Sequence, residues 1–193
     1  LDPNLTLTLP REETINTALD AISHSLESLW NKNKTPVSEL YARESLTLSL
    51  EAIPIIIDDL SDIKQRENLQ KASLFAGLAI SQTRTAIAHS ISYPLTSYFD
   101  VPHGLACSFT LPKIIERYTL SNENESINEL MYDIKNLLTK LNLPNKIKRY
   151  VTEENINEVY KEMFSSERAN NFIYDISIDE IKAIAVDSLQ ISK

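Results

Sequence analysis

The amino-acid sequence predicts an all-α domain of about seven to nine helices. Three observations carry that reading. Apolar residues recur at three- and four-residue spacing along most of the 193-residue chain. Glycine is scarce: only Gly77 and Gly104 are present, too few for the tight turns of an all-β fold. Helix-start signatures recur, as where Ser177 is followed three residues later by Glu180.

Residues 1–10 place Pro3 and Pro10 around Thr6-Leu7-Thr8-Leu9, which reads as an extended entry segment. Pro10 suits the first turn of a helix, and Glu12 and Glu13 suit its positive end. Ile15, Leu19, Ile22, Leu26, Leu29 and Trp30 continue it at helical spacing. After a polar break, Thr35-Pro36 starts a second helix through Leu40, Leu46, Leu50 and Ile57, kinked or divided by Pro54. A third pattern covers Asp62 to Ser92, crowded with Ala72, Ser73, Ala76, Gly77 and Ala79, as close helix packing requires. Tyr93 to Gly104 reads as a loop bracketed by Pro94 and Pro102. A helix then begins near Gly104 and is interrupted at Pro112. Ile127, Leu130, Ile134, Leu137, Leu138 and Leu141 form an amphipathic stripe, Thr152 opens another helix, and Ser177 opens the last.

Composition excludes several function classes. There are 27 acidic and 19 basic residues, a net charge of −8, the wrong sign for a general nucleic-acid binder. Two distant glycines build neither a Rossmann fingerprint nor a P-loop. No apolar run reaches membrane-spanning length, and the N-terminus has no basic-then-apolar signal pattern. Cys107 is the single cysteine, so no intrachain disulfide forms and nothing points to an oxidising compartment. We expect a cytoplasmic protein, with Cys107 a buried, inert thiol.

The chain has three histidines, His24, His89 and His103. Asp20 and His24 stand at i, i+4, one turn apart on one helix face, where both can reach one metal ion. His89 follows Ala86, Ile87 and Ala88, surroundings in which a lone histidine is more often a hydrogen-bonded core residue. His103 lies between Pro102 and Gly104, at a turn that presents either a ligand or a helix cap. One carboxylate and three imidazoles suit Zn²⁺ or Fe²⁺ better than Mg²⁺ or Ca²⁺. Glu27 shares the Asp20–His24 face, either as an acceptor for a ligand histidine or, the reading we favour, as a solvated glutamate.

These residues sit in ordered pieces that resemble a known family. Leu19-Asp20-Ala21-Ile22-Ser23-His24-Ser25-Leu26-Glu27 is similar to the metal-binding helix of the iron-containing, group III alcohol dehydrogenases. So are His89-Ser90-Ile91-Ser92-Tyr93-Pro94-Leu95, Val101-Pro102-His103-Gly104, the opening Asp2-Pro3-Asn4-Leu5-Thr6 and the small-residue stretch Ala72 to Ala79. The resemblance covers residues 1 to about 120 well and the rest loosely. Gln82-Thr83-Arg84-Thr85-Ala86 with the following His-Ser-Ile-Ser-Tyr-Pro-Leu-Thr resembles the phosphonoacetaldehyde reductases within it.

The resemblance implies the multi-helix C-terminal domain of the dehydroquinate synthase-like type, with residues 11–193 as one metal-binding domain. It implies that Asp20, His24, His89 and His103 bind one divalent metal, Fe²⁺ or Zn²⁺, and that NAD(P)H supplies or accepts hydride. It implies a small aldehyde or alcohol substrate, of which phosphonoacetaldehyde is our first expectation and another short aldehyde or polyol the second. A nucleotide-binding half is expected before this domain; without it the chain would be inactive and open to self-association as a homo-oligomer. Where many members carry a second histidine four residues after the ligand, this chain has Tyr93, a poorer proton relay near neutrality. Arg84 is our expected substrate-binding residue, since a guanidinium can grip a phosphonate through paired hydrogen bonds; an ion pair with a carboxylate, or a surface position, is the equal alternative. A non-catalytic helical interaction module with three structural histidines is the competing class.

Overall fold

Eleven α-helices form the fold seen in the computed structural model, which describes residues 1–122 and 124–190. They are α1 (Arg11–Leu29), α2 (Pro36–Ile56), α3 (Ile63–Thr83), α4 (Ile87–Phe99), α5 (His103–Ser108) and α6 (Leu111–Thr119), followed by α7 (Glu125–Lys140), α8 (Leu143–Ile147), α9 (Glu153–Val159), α10 (Ser166–Ala169) and α11 (Ile178–Asp187). No strand occurs among the described residues; one isolated antiparallel bridge joins Asn31 to Phe172. No described helix is long and apolar enough to cross a membrane.

Helix α1 is the axis, packed against α2, α3, α4 and α5. Its apolar residues Leu19, Ile22, Leu26 and Leu29 are fully buried, and so is Trp30 at its end. Burial on that scale stabilises the fold by roughly 1.5–3 kcal/mol per large side chain. Small hydroxyls let helices approach closely: the Ser25 hydroxyl donates to Ser45 Oγ at 2.8 Å between α1 and α2. A buried arginine fixes the start of α3. Arg66 donates to the Leu60 and Leu9 carbonyls and to Thr14 Oγ1, tying three segments together without a carboxylate.

The N-terminal signatures work as read. Thr35, Thr152 and Ser177 each form a capping box, with Ser38, Asn155 and Glu180 as reciprocal partners. Four local expectations are corrected. Residues 1–10 are not simply extended, because Asp2 accepts from the Asn4 N–H and nucleates one 3-10 turn at Pro3–Thr6. Pro54 neither divides nor ends α2, which runs on to Ile56. The pattern from Asp62 to Ser92 is two helices, broken where Arg84 takes a left-handed φ of 66°. The expected loop from Tyr93 is helix as far as Phe99, with Pro94 buried inside α4. The helix count exceeds seven to nine because short turns such as α8 and α10 carry no long periodicity.

The last helix is tied to the sixth by charge. Arg117 donates to Glu180 at 2.7 Å, and Glu180 also accepts from the Ser177 backbone N–H. These bonds push the Glu180 carboxyl down to about 2 from 4.5. A depressed folded pKa stabilises above the unfolded value and is lost as pH falls through the folded one. Glu180→Gln keeps the cap and removes the charge. It should cost at most about 1 kcal/mol at pH 7, since the pair is partly solvated, and a smaller amount at pH 2, where half the carboxyl is protonated. Urea unfolding at the two pH values checks this.

Candidate metal centre

Three helices bring the candidate residues together. Asp20 and His24 lie one turn apart on α1, His89 lies in the first turn of α4, and His103 is the first residue of α5. The close crossing of α5 on α1 depends on Gly104. Its φ is ordinary, but a Cβ there would sit 1.8 Å from the Asn16 carbonyl oxygen. A Ser23 hydroxyl bond to the Cys107 carbonyl at 3.2 Å holds the same two helices.

Asp20 Oδ1 is the meeting point. The Nε2 atoms of His24, His89 and His103 lie 3.8, 3.7 and 3.7 Å from it. These separations are too long for hydrogen bonds. Two ligands about 2.1 Å from one ion at a tetrahedral angle stand about 3.4 Å apart, close to what is found. Asp20 Oδ1 and His89 Nε2 are both buried and have no hydrogen-bond partner among the described residues. Buried polar atoms are normally satisfied, so this pair of orphans fits a shared ligand such as a cation. The rings of His24 and His89 stack 4.8 Å apart, 8° from parallel.

Glu27 is the correction of most consequence. It is fully buried, not solvated. Its carboxylate accepts backbone N–H bonds from Ala86 at 2.9 Å, Ala88 at 2.6 Å and His89 at 3.3 Å. It also meets His89 Nδ1 at 2.7 Å. Helix α4 has no side-chain cap of its own, so Glu27 caps it from across the core. With Nδ1–H donated to Glu27, Nε2 of His89 faces Asp20, and in the neutral ring it is Nε2 that carries the lone pair.

Cys107 is buried, as expected, and it stands beside the histidines. Its thiol lies one turn after His103, with Sγ 3.4 Å from His103 Nε2. Donor atoms of Asp20, His89, His103 and Cys107 all lie within 4.8 Å of one another. The i, i+4 relation of His103 and Cys107 was readable in sequence, in the way the Asp20–His24 pair was.

Charge in the cluster is tightly balanced. Burial works against ionised Asp20, but the three imidazoles hold its carboxyl below the usual carboxylate range. Burial opposes charge on His89 as well, yet Glu27 and Asp20 hold it well above an ordinary histidine. The Cys107 thiol raises His103, while burial pushes His24 down. Burial opposes the Cys107 thiolate, but His103 and His89 bring the thiol below its usual value.

Exposure rises across the site, from 2% for the His89 side chain through 29% for Asp20 to 41% for His103. Tyr93 stands at the open side, its ring 6.2 Å from that of His103 and 6.5 Å from that of His89. Arg84 is elsewhere in character. Its side chain is 76% exposed and pairs with Glu167 at 3.6 Å. The left-handed turn at Arg84 directs its carbonyl to Asn31 Nδ2, and the ion-pair partner of its guanidinium among the described residues is Glu167.

The model of the Fe-containing alcohol dehydrogenase family, C-terminal, matches residues 14–191. The chain belongs to this family. Among relatives in the family, the phosphonoacetaldehyde reductase of Streptomyces viridochromogenes is 36% identical over 115 residues, 60% of this chain and 29% of that protein. The 1,3-propanediol dehydrogenase of Citrobacter freundii is 33% identical over 119 residues, 62% of this chain and 30% of that one. The crystal structure of sulfoacetaldehyde reductase from Bifidobacterium kashiwanohense, in complex with NAD+, shares the fold with a TM-score of 0.84 at 24% identity. It covers 99% of this chain and 54% of that one, so this chain spans about half of it and less of the two curated relatives.

Two outcomes follow from this geometry. Glu27→Ala leaves three backbone N–H groups and one imidazole without their acceptor. It should destabilise the domain by about 3–5 kcal/mol, with a smaller loss for Glu27→Gln. Metal affinity should fall about 10–100-fold in either variant that folds, measured by competition with a chelating dye. Gly104→Ala should force α5 off α1 and cost about 1–3 kcal/mol, read by denaturant unfolding.

Proposed function

We propose that this chain is the metal-holding domain of an NAD(P)-dependent alcohol dehydrogenase that interconverts a short aldehyde and its alcohol. The carrying observation is the convergence of three Nε2 atoms on one carboxylate oxygen, where buried Asp20 Oδ1 and His89 Nε2 have no hydrogen-bond partner among the described residues. Asp20, His24, His89 and His103 would hold one divalent cation, with Fe²⁺ favoured by the family and Zn²⁺ suited by the neighbouring Cys107 thiol. When bound, such an ion supplies Lewis-acid polarisation of a carbonyl or alcohol oxygen, and the nicotinamide carries the hydride.

The chain's own residues do the rest. Glu27 fixes the tautomer and orientation of His89. The buried floor of α1 and α4 keeps water from the back of the site. Tyr93 lies at the open side with its ring beside those of His103 and His89, and we read it as the relay residue for the proton exchanged with the substrate oxygen. Phosphonoacetaldehyde, giving 2-hydroxyethylphosphonate, is the substrate we favour, supported by the Streptomyces relative. The propanediol dehydrogenase among the relatives supports the broader alternative of a neutral alcohol.

Elemental analysis after anaerobic reconstitution tests the reading. We expect about one iron or zinc per chain, lost in His89→Ala and in Asp20→Ala. Full occupancy in both variants would remove these residues from the ligand set. A metal-free protein carrying its nucleotide-binding half would favour a structural role for the histidines.

A further inference from the structure

We propose that Arg168 holds the anionic head group of the substrate, a tetrahedral oxyanion such as a phosphonate or sulfonate. The inference rests on the reading of the cluster as a dehydrogenase site, and it replaces Arg84 as the anion-binding residue.

Arg168 lies at the metal centre's open side. Its guanidinium carbon sits 4.6 Å above the Tyr93 ring, and that ring neighbours His103 and His89 at 6.2 and 6.5 Å. Stacking on an aromatic face holds a guanidinium flat and leaves its edge donors free. Those donors are almost unused. Among the described residues, Nε is buried without a hydrogen-bond partner, no bond is made by Nη2, and Nη1 reaches only Ser165 Oγ at 3.5 Å, the outer limit. No carboxylate of the described residues pairs with it. The adjacent Glu167 is engaged by Arg84 at 3.6 Å. A partly buried arginine with idle donors, in a chain of net charge −8, is a built receptor for an anion.

Its position is also fixed from the metal side. The Ser90 hydroxyl, on the residue after His89, donates to the Met163 carbonyl at 2.6 Å. The same hydroxyl accepts from the Ser165 backbone N–H at 3.1 Å. The segment that launches α10 is thereby stapled beside a candidate ligand, and Arg168 is presented over Tyr93. A substrate whose carbonyl lies at the imidazole cluster and whose head group is a short spacer away would meet this edge.

The test uses the full polypeptide loaded with metal and NAD(P)H. Phosphonoacetaldehyde, sulfoacetaldehyde and uncharged propanal are compared in wild type, Arg168→Ala, Arg168→Lys and Arg84→Ala. We expect Arg168→Ala to raise KM for the anionic aldehydes about tenfold or more beyond its effect on propanal. Arg168→Lys should recover part of the difference, and Arg84→Ala should show none of it. The larger effect identifies the head group as phosphonate or sulfonate. Equal changes for charged and neutral aldehydes, or a selective effect in Arg84→Ala, would overturn the assignment. Calorimetric titration with methylphosphonate gives a readout independent of turnover. Wild-type binding that Arg168→Ala weakens about tenfold supports the site, and unchanged or absent binding refutes it. A wild type that binds methylphosphonate and reduces none of the aldehydes would instead refute the dehydrogenase reading.

Discussion

A single buried carboxylate organises this domain. Glu27 on α1 caps α4 from across the core and holds His89 by its inner nitrogen. Removing a carboxylate from water costs several kcal/mol, and an isolated one would pick up a proton instead. Here the three N–H groups of a helix start, the positive end of its dipole and an imidazole offset that cost together. The arrangement works in both directions. Glu27 stays ionised because α4 begins where it does, and α4 begins there because Glu27 supplies the acceptor that Ala86 lacks. The left-handed turn at Arg84 is what frees Ala86 and Ala88 to face α1.

The same carboxylate sets the chemistry of the cluster. His89 lies between two acids, Glu27 at its inner nitrogen and Asp20 at its outer one. The inner contact is a hydrogen bond at 2.7 Å; the outer one, at 3.7 Å, is too long for one. That asymmetry leaves Nε2 and Asp20 Oδ1 facing each other unsatisfied, the arrangement a cation would complete. A proton and a divalent cation would therefore compete for one nitrogen, so that affinity for a cation would rise with pH. Rigidity follows from the burial of His89 and Glu27 together, since neither can turn without exposing the other's unpaired charge.

How much of this was readable in sequence depended on whether the signal was local. The Asp20–His24 pair is a one-turn relation and reads directly. His89 and His103 carry no spacing rule, and their inclusion rested on resemblance to the family. Glu27 was placed on the right face and given the wrong environment, because a helix face does not say which other helix covers it. The α3–α4 break has neither glycine nor proline between Thr83 and Ile87, and its cap comes from a residue 59 positions earlier. Arg84 carries no local signal that separates a substrate contact from an ion pair, and past the positive φ its side chain pairs with Glu167. Arg168 sits in a four-residue helix that no periodicity announces, stapled by a serine far away in sequence.

The exposure gradient explains why the rigid and the adaptable parts of the site are separate residues. His89 is 2% exposed, and its orientation is settled by folding. His103, Tyr93 and Arg168 lie toward solvent, where substrate must enter, and they are held by stacking and single hydrogen bonds rather than by a buried charge. A site that had to bind its ion with loose ligands would spend binding energy ordering them. A site whose substrate contacts were buried like His89 could not admit substrate. Putting the charge network at the back of α1 and the aromatic and guanidinium contacts at its open side meets both requirements.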